Sequence, residues 1–385
     1  MFATFKLSIG LMSGIRPKYK KLQGHRKLDE PNDLMRSIRT HGAETVSHEV
    51  TLLGRPQRRA ATALYPGPKN ILFAGEFIMK RVLWLVVFLA APSQGYCWNN
   101  TGHMITARLA WLNLEEGQRA AVIRILKKHP HYDEFLSTDK PAGFSEEEWV
   151  FLRAATWPDW VRSHHKAEYH HATWHFINYP FVAPGSAIDP NTHQPPADEE
   201  NIVRQLGFAV KKVKSGNQED QAVYLCWILH LVGDIHQPLH TTAYFSNAFP
   251  DGDRGGNLAY VILHDGANKT QLHPMWDGLL GKSTSVSAIG NVVKQTQELA
   301  EADQEAVKTN VNENKTFESW AKESFEVAKQ TAYLNGKLPL GDEDAEAADI
   351  EVVPENYTKN AGHVARVQIA KAGTRLATTL ADALK

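Results

Sequence analysis

Apolar residues between positions 102 and 129 recur at three- and four-residue spacing: Ile105, Leu109 and Leu112, then Val122, Ile125 and Leu126. That period predicts helix, with Pro130 as the stop. Ser145-Glu146-Glu147-Glu148 has the hydroxyl-to-glutamate spacing of a capping box, leading into a helix over 149–155. Helical periods return over 199–214 and 218–235, the second closed by Pro238. They appear again over 287–307, 316–334 and 360–384, where Val364, Val367, Ala370 and Leu376 form a stripe. The stretch 243–272 differs. Gly252, Gly255, Gly256 and Gly266 break it, and only Tyr260-Val261-Ile262 reads as strand, which predicts a long loop with one small hairpin. No internal repeat is present. The expectation for 98–385 is one mostly α-helical domain with long irregular loops.

The first 97 residues read differently. Met79-Lys80-Arg81 is a basic start, residues 82–91 (VLWLVVFLAA) are a short apolar run, and Gly95 and Cys97 stand at the minus-three and minus-one positions of a cleavage site. This is the pattern of a signal peptide over 79–97, and its apolar run is too short to span a bilayer stably. Cleavage after Cys97 makes Trp98 the mature N-terminus. Residues 1–78 show scattered basic residues and no sustained period. They read as translation assigned from too early a start or, alternatively, as a disordered arm, and stand apart from the fold.

Composition sharpens the functional question. The chain of 385 residues is 43% hydrophobic and 22% charged with a formal net charge of -1, ordinary values for a globular protein. Residues 1–78 carry 13 Lys/Arg and 6 Asp/Glu, whereas 98–385 carry 27 basic and 37 acidic residues, a net of -10. So acidic a body excludes nucleic-acid binding through a broad basic surface. If it acts on phosphates, the positive charge must come from something other than Lys and Arg. The two cysteines exclude a disulfide framework. Histidine is abundant: 15 of the 18 lie in 98–385.

His230 and Asp234 are four residues apart on one helical face, inside the apolar run 225–235. An uncompensated carboxylate there is costly, and a bound metal removes the cost. Pro238 ends the helix and lets His240 fold back toward that face. His273 and Asp277 repeat the four-residue spacing. Asp159, after Pro158, reads as a helix-capping residue or as a ligand, and His175 leads a short strand-like segment. Trp98, once its amine is free, and His103 form a last cluster. Imidazole and carboxylate donors of this kind suit Zn²⁺.

On these residues the chain resembles the trinuclear-zinc, single-strand-specific nucleases, a family of fungal extracellular and plant bifunctional enzymes that shares its fold with bacterial zinc phospholipase C. The resemblance runs over essentially all of 98–385 and includes Trp320-Ala321-Lys322-Glu323-Ser324 and Ala372-Gly373-Thr374-Arg375-Leu376-Ala377. It implies three Zn²⁺ on nine ordered ligands: one held by Asp159, His175, His230 and Asp234; one by the Trp98 amine and carbonyl, His103 and Asp234; one by His240, His273 and Asp277. The gap of five residues from Trp98 to His103, and Asp rather than Glu at 277, side with the nucleases against the phospholipases.

The implied activity is hydrolysis of single-stranded DNA and RNA to 5′-phosphorylated products, with 3′-nucleotides as further substrates. The implied protein is secreted or periplasmic, with no protein partner and no stable membrane association after signal cleavage. Asp159 would also orient the attacking water. Arg162, one turn on, is either an exposed helical arginine or a source of transition-state stabilisation. Phe176 and Asn178 stand where the family recognises the base; Phe176 by itself fits core packing equally well. A zinc-dependent phospholipase C and a non-enzymatic zinc-binding protein are the competing readings. Structural zinc sites are closed and often cysteine-rich, so the His/Asp pattern favours an open, catalytic type.

Overall fold

The computed structural model describes residues 98–385; the predicted signal peptide and the segment before it lie outside the described residues. The fold is mostly helical, as the periodicity predicts. Its helices are α1 (Asn100–Asn113), α2 (Glu116–Leu126), α3 (Glu146–Ala154), α4 (Trp157–His164), α5 (Ile202–Ser215), α6 (Gln218–Asp234), α7 (Leu272–Asp277), α8 (Val286–Gln297), α9 (Glu301–Glu313), α10 (Phe317–Val327) and α11 (Tyr357–Ala383), with short 3₁₀ and π turns between them. No described helix is long and apolar enough to cross a membrane.

At the centre stands α6, which is buried on every side from Leu225 to Asp234. A helix apolar all round belongs in a core rather than on a surface. It packs on α5 and touches α1, α2, α3, α4 and α11. The long α11 lies along α1. Their closest approach is at Gly373, where a Cβ would stand 2.4 Å from Leu109 Cβ. A second apolar cluster, separate from this helical core, gathers Leu239, Tyr244, Leu272, Trp276, Tyr333 and Tyr357 around α7.

Three predicted helices are interrupted. The run expected over 102–129 breaks at Leu114, because Glu115 starts a new helix through a reciprocal pair in which its side chain takes the N3 backbone N–H and Gln118 takes its own. The run over 287–307 splits into α8 and α9, and Gln304 closes the break by donating to the Gln297 and Leu299 carbonyls. The run over 316–334 ends as α-helix at Val327 and widens into a π turn over Ala328–Ala332.

The hairpin in the long loop is small: β3 (Tyr260–Val261) pairs antiparallel with β4 (Thr270–Gln271). The periodicity gave no sign of a second pairing, in which β1 (Tyr179–Val182) runs parallel to β2 (Thr242–Phe245), with Tyr179 opposite Thr242 and Val182 opposite Phe245. This two-stranded ribbon ties the segment after His175 to the segment after His240.

The α1/α11 contact gives a stability prediction. Gly373→Ala overpacks the closest approach and should lower unfolding free energy by about 1–3 kcal/mol, the usual cost of an added methyl in a packed interior. Urea denaturation measures it, and an unchanged midpoint would mean that the two helices separate without cost.

Candidate metal centre

The arrangement begins with Asp234, a fully buried carboxylate in the last turn of α6. One turn earlier His230 puts Nε2 3.1 Å from Asp234 Oδ2. From the start of α1, His103 brings Nε2 to 3.3 Å from Asp234 Oδ1. It comes this close because Gly233 has no side chain; a Cβ there would stand 2.9 Å from His103 Nδ1. The His103 and His230 rings stack with centroids 3.8 Å apart. His175, at the end of a 3₁₀ turn, places Nδ1 3.0 Å from Asp234 Oδ2 and 3.0 Å from His230 Nε2. Asp159, in the first turn of α4, lies 4.0 Å from His230 Nε2; its side chain is 18% exposed where Asp234 is closed off.

The remaining donors come from the other side of the ribbon. His240 sits in the 3₁₀ turn Pro238–Thr241, and Ile177 N–H bonds its carbonyl at 2.9 Å, extending the register of β1 and β2. His240 Nε2 is 3.2 Å from His273 Nε2, and His273 Nε2 is 3.5 Å from Asp277 Oδ2 across one turn of α7. His240 Nδ1 lies 3.9 Å from Asp234 Oδ1, so the two halves adjoin. Three groups can therefore hold a metal ion: His103, His230 and Asp234; Asp159, His175 and His230; His240, His273 and Asp277. The fold brings together eight of the nine sequence-derived ligands. The ninth, Trp98, is fully buried with its ring against Gly102, at the mouth of α1 five residues before His103.

Hydrogen bonds on the far side of the rings decide which nitrogen is free. His230 Nδ1 bonds the Ala155 carbonyl at 2.8 Å, His240 Nδ1 the His175 carbonyl at 2.7 Å, and His273 Nδ1 the Gly255 carbonyl at 2.6 Å. A carbonyl only accepts, so each Nδ1 carries a proton and Nε2 is the nitrogen each ring turns inward, the arrangement of metal-ligating histidines. Gln237 does the same for a carboxylate: its Nε2 donates to Asp277 Oδ1 at 2.8 Å while its Oε1 accepts from Leu239 N–H. Among the described residues, His103 Nε2, Asp234 Oδ1 and Asp277 Oδ2 are buried and have no hydrogen-bond partner. A nitrogen/oxygen donor set with buried orphan atoms fits a metal ion such as Zn²⁺.

The electrostatics agree. Burial, reinforced by His230, pushes His103 down to about 4, so it is neutral near pH 7. Burial would lower His230 too, but the Asp234 and Asp159 carboxylates lift it to about 9. Against the same burial, His230, His240 and His103 hold Asp234 well below the usual carboxylate range. Burial, reinforced by the nearby Asp234 and Asp159 carboxylates, raises Asp277 well above that range. A cation placed among these groups would offset both the burial and the mutual repulsion of the carboxylates.

The other predicted residues lie around this centre. Arg162 is half-buried one turn beyond Asp159 on α4. Phe176 is half-buried and belongs to neither apolar cluster. Asn178 lines a neighbouring cavity of about 240 Å³ with His193, Phe245, Glu199, Asp251 and Arg254. His236, inside the same run as His240, points away: its Nδ1 bonds the Val232 carbonyl and its Nε2 accepts from Arg375 at 2.7 Å. The sequence signalled neither the carbonyls of Ala155, His175 and Gly255 nor Gln237. Only the last carries a hint, its place between His236 and Pro238. A fourth group, His131, Glu134 and His165, lies toward the surface, but the Trp157 indole donates to His131 Nδ1 at 3.0 Å and takes up that nitrogen.

Comparison with known proteins accords with this geometry. Two curated relatives from Arabidopsis thaliana, Endonuclease 4 and Endonuclease 5, are 23% identical over 309 residues and 24% identical over 323. The matches take in 74% and 77% of this chain and 88% and 95% of the relatives. A third, Endonuclease 2, is 26% identical over 216 residues, 53% of this chain and 62% of its own. The S1/P1 nuclease family model matches residues 98–385, the whole of the described fold, and the chain therefore belongs to the S1/P1 nuclease family.

Proposed function

We propose that this protein is an exported, zinc-dependent nuclease that hydrolyses single-stranded DNA and RNA to 5′-phosphorylated products and also accepts 3′-nucleotides. The observation that carries the metal reading is the pair His240 and His273. Both give their Nδ1 proton to a backbone carbonyl and so turn Nε2 toward each other across 3.2 Å. Two inward Nε2 atoms that close are the donor geometry of a shared cation. With the buried Asp277 beside them, the pair supports one zinc position. His103, His175, His230, Asp159 and Asp234, with the Trp98 amine and carbonyl, offer donors for two more.

Bound zinc polarises phosphoryl oxygens and makes water a nucleophile at neutral pH. The chain's own residues supply the rest. Asp159 is the partly exposed carboxylate of the cluster, so it can hold the attacking water by a hydrogen bond and fix its direction. Arg162, half-buried one turn away, adds positive charge where negative charge builds on the phosphate. Phe176 offers a ring face outside both apolar clusters, and any base can stack on it. Paired bases hide their faces, so such a platform favours single strands. Asn178 presents both a donor and an acceptor to a base edge.

The test of the whole reading is cleavage by chelator-treated protein reloaded with zinc. Single-stranded DNA and RNA should be cut and leave 5′-phosphates; hydrolysis of phosphatidylcholine alone would reverse the assignment. Asp234→Asn should lower bound zinc by at least two ions and activity by more than about a hundredfold, given that even outer partners of a metal site are worth 10–100-fold; elemental analysis and initial rates check it, and an active variant holding three ions would refute the shared-ligand role.

Phe176→Ala should slow single-strand cleavage by roughly tenfold with zinc content unchanged, because base stacking is worth about 1–3 kcal/mol. The measurement compares oligonucleotide rates, with a duplex as the poor substrate in both proteins. N-terminal sequencing of active protein should begin at Trp98; a start at Met79 or earlier would remove the amine ligand from the scheme.

A further inference from the structure

The loop that orients His273 also presents a cation. Asp253 is fully buried between exposed Asp251 and exposed Arg254. Its Oδ1 accepts from Tyr244 N–H at 2.9 Å and its Oδ2 from the Tyr333 hydroxyl at 2.7 Å. The backbone N–H groups of Gly255 and Gly256 also bond this carboxylate. Around that anchor Arg254, Gly255 and Gly256 take φ of 55°, 64° and 81° in succession. Two glycines tolerate this freely. An arginine does not, and such a conformation persists only where the surroundings over-determine it. Gly255 cannot be replaced without moving the chain, since a Cβ would stand 2.4 Å from the Leu239 carbonyl oxygen.

The consequence is a fixed backbone position for Arg254. Its neighbour Gly255 accepts from His273 Nδ1, so the loop that carries Arg254 is tied to a histidine of the metal centre. Its side chain lines the cavity that also holds Asn178, His193 and Phe245. Among the described residues its guanidinium makes no ion pair, although Asp251 and Glu199 border the same cavity. In a body with a net charge of -10 over 98–385, an arginine whose backbone is held in the left-handed region at a cavity shared with Asn178 calls for an anionic partner.

We propose that Arg254 contacts the phosphate next to the scissile one, on the nucleotide whose base meets Asn178. Guanidinium binds phosphate through two parallel N–H donors, which an ammonium cannot reproduce. The inference rests on the nuclease reading. It makes Arg254 a determinant of preference for polynucleotides over single nucleotides, and it explains why the Asp253 anchor holds a non-glycine residue in the left-handed region.

The test is a cycle between side chain and substrate charge. Zinc-loaded wild type and Arg254→Gln are assayed on a single-stranded oligonucleotide and on versions with one neutral methylphosphonate on either side of the cleaved bond. With the natural strand Arg254→Gln should raise KM about tenfold with kcat within about twofold and zinc content unchanged, and Arg254→Lys should recover only part of the loss. Wild type should lose similar affinity for one of the two neutral-linkage strands, and on that strand the variant should be no worse than wild type. The salt dependence of log(kcat/KM) should flatten by about 0.7, the release expected for one single-strand phosphate contact. Equal losses on all strands, or loss of zinc in the variant, would overturn the phosphate contact and leave Arg254 as part of the loop scaffold. If wild type cleaves none of the strands, the nuclease reading itself falls.

Discussion

A carboxylate at the end of a buried, largely apolar helix sets the terms for this fold. Asp234 lies in the last turn of α6, closed to solvent, in a segment built mainly of leucine, isoleucine, valine and tryptophan. Burying such a charge alone is prohibitive. Histidines from three other parts of the chain surround it instead: His103 from α1, His175 from the 3₁₀ turn before β1 and His240 from the turn after α6. Each arrives through a separate packing contact, so the core of α6 and the geometry of the centre are one problem. Gly233 shows the coupling most directly, since a side chain there would drive His103 off the carboxylate.

The ribbon of β1 and β2 performs the second joining. It is only four residues per strand, too short to stabilise itself. Its register nevertheless puts the carbonyl of His175 on His240 Nδ1 and the N–H of Ile177 on the His240 carbonyl. The helical core thereby reaches the second apolar cluster, where α7 carries His273 and Asp277. Backbone carbonyls fix three of the imidazole tautomers, so ring orientation is written into main-chain geometry rather than into further side chains.

Charge explains how an acidic protein serves a polyanionic substrate. Family membership makes the substrate a nucleic acid, yet 98–385 carry ten more acidic than basic residues. Positive charge must then be concentrated rather than spread. Carboxylates and imidazoles gathered at a buried centre are suited to hold it as metal ions. Such focusing leaves the rest of the surface free to repel nonspecific contact with nucleic acid.

Much of this was determined by the sequence alone. Helical periods located the elements of the bundle, and the four-residue spacings of His230/Asp234 and His273/Asp277 put each His/Asp pair on a single helix face, because i and i+4 are neighbours on any α-helix. The breaks at Leu114 and after Gln297 were hidden, since helical spacing resumes beyond each and local side-chain bonds mark where the new helix starts. What the tertiary structure decided is everything that joins distant segments: the parallel pairing of 179–182 with 242–245, the carbonyls that set each imidazole tautomer, and the Asp253 anchor that turns Arg254 toward the cavity. Strand register and backbone acceptors leave no mark on residue type. A carbonyl belongs to every residue alike, and only the folded chain selects which one a histidine meets.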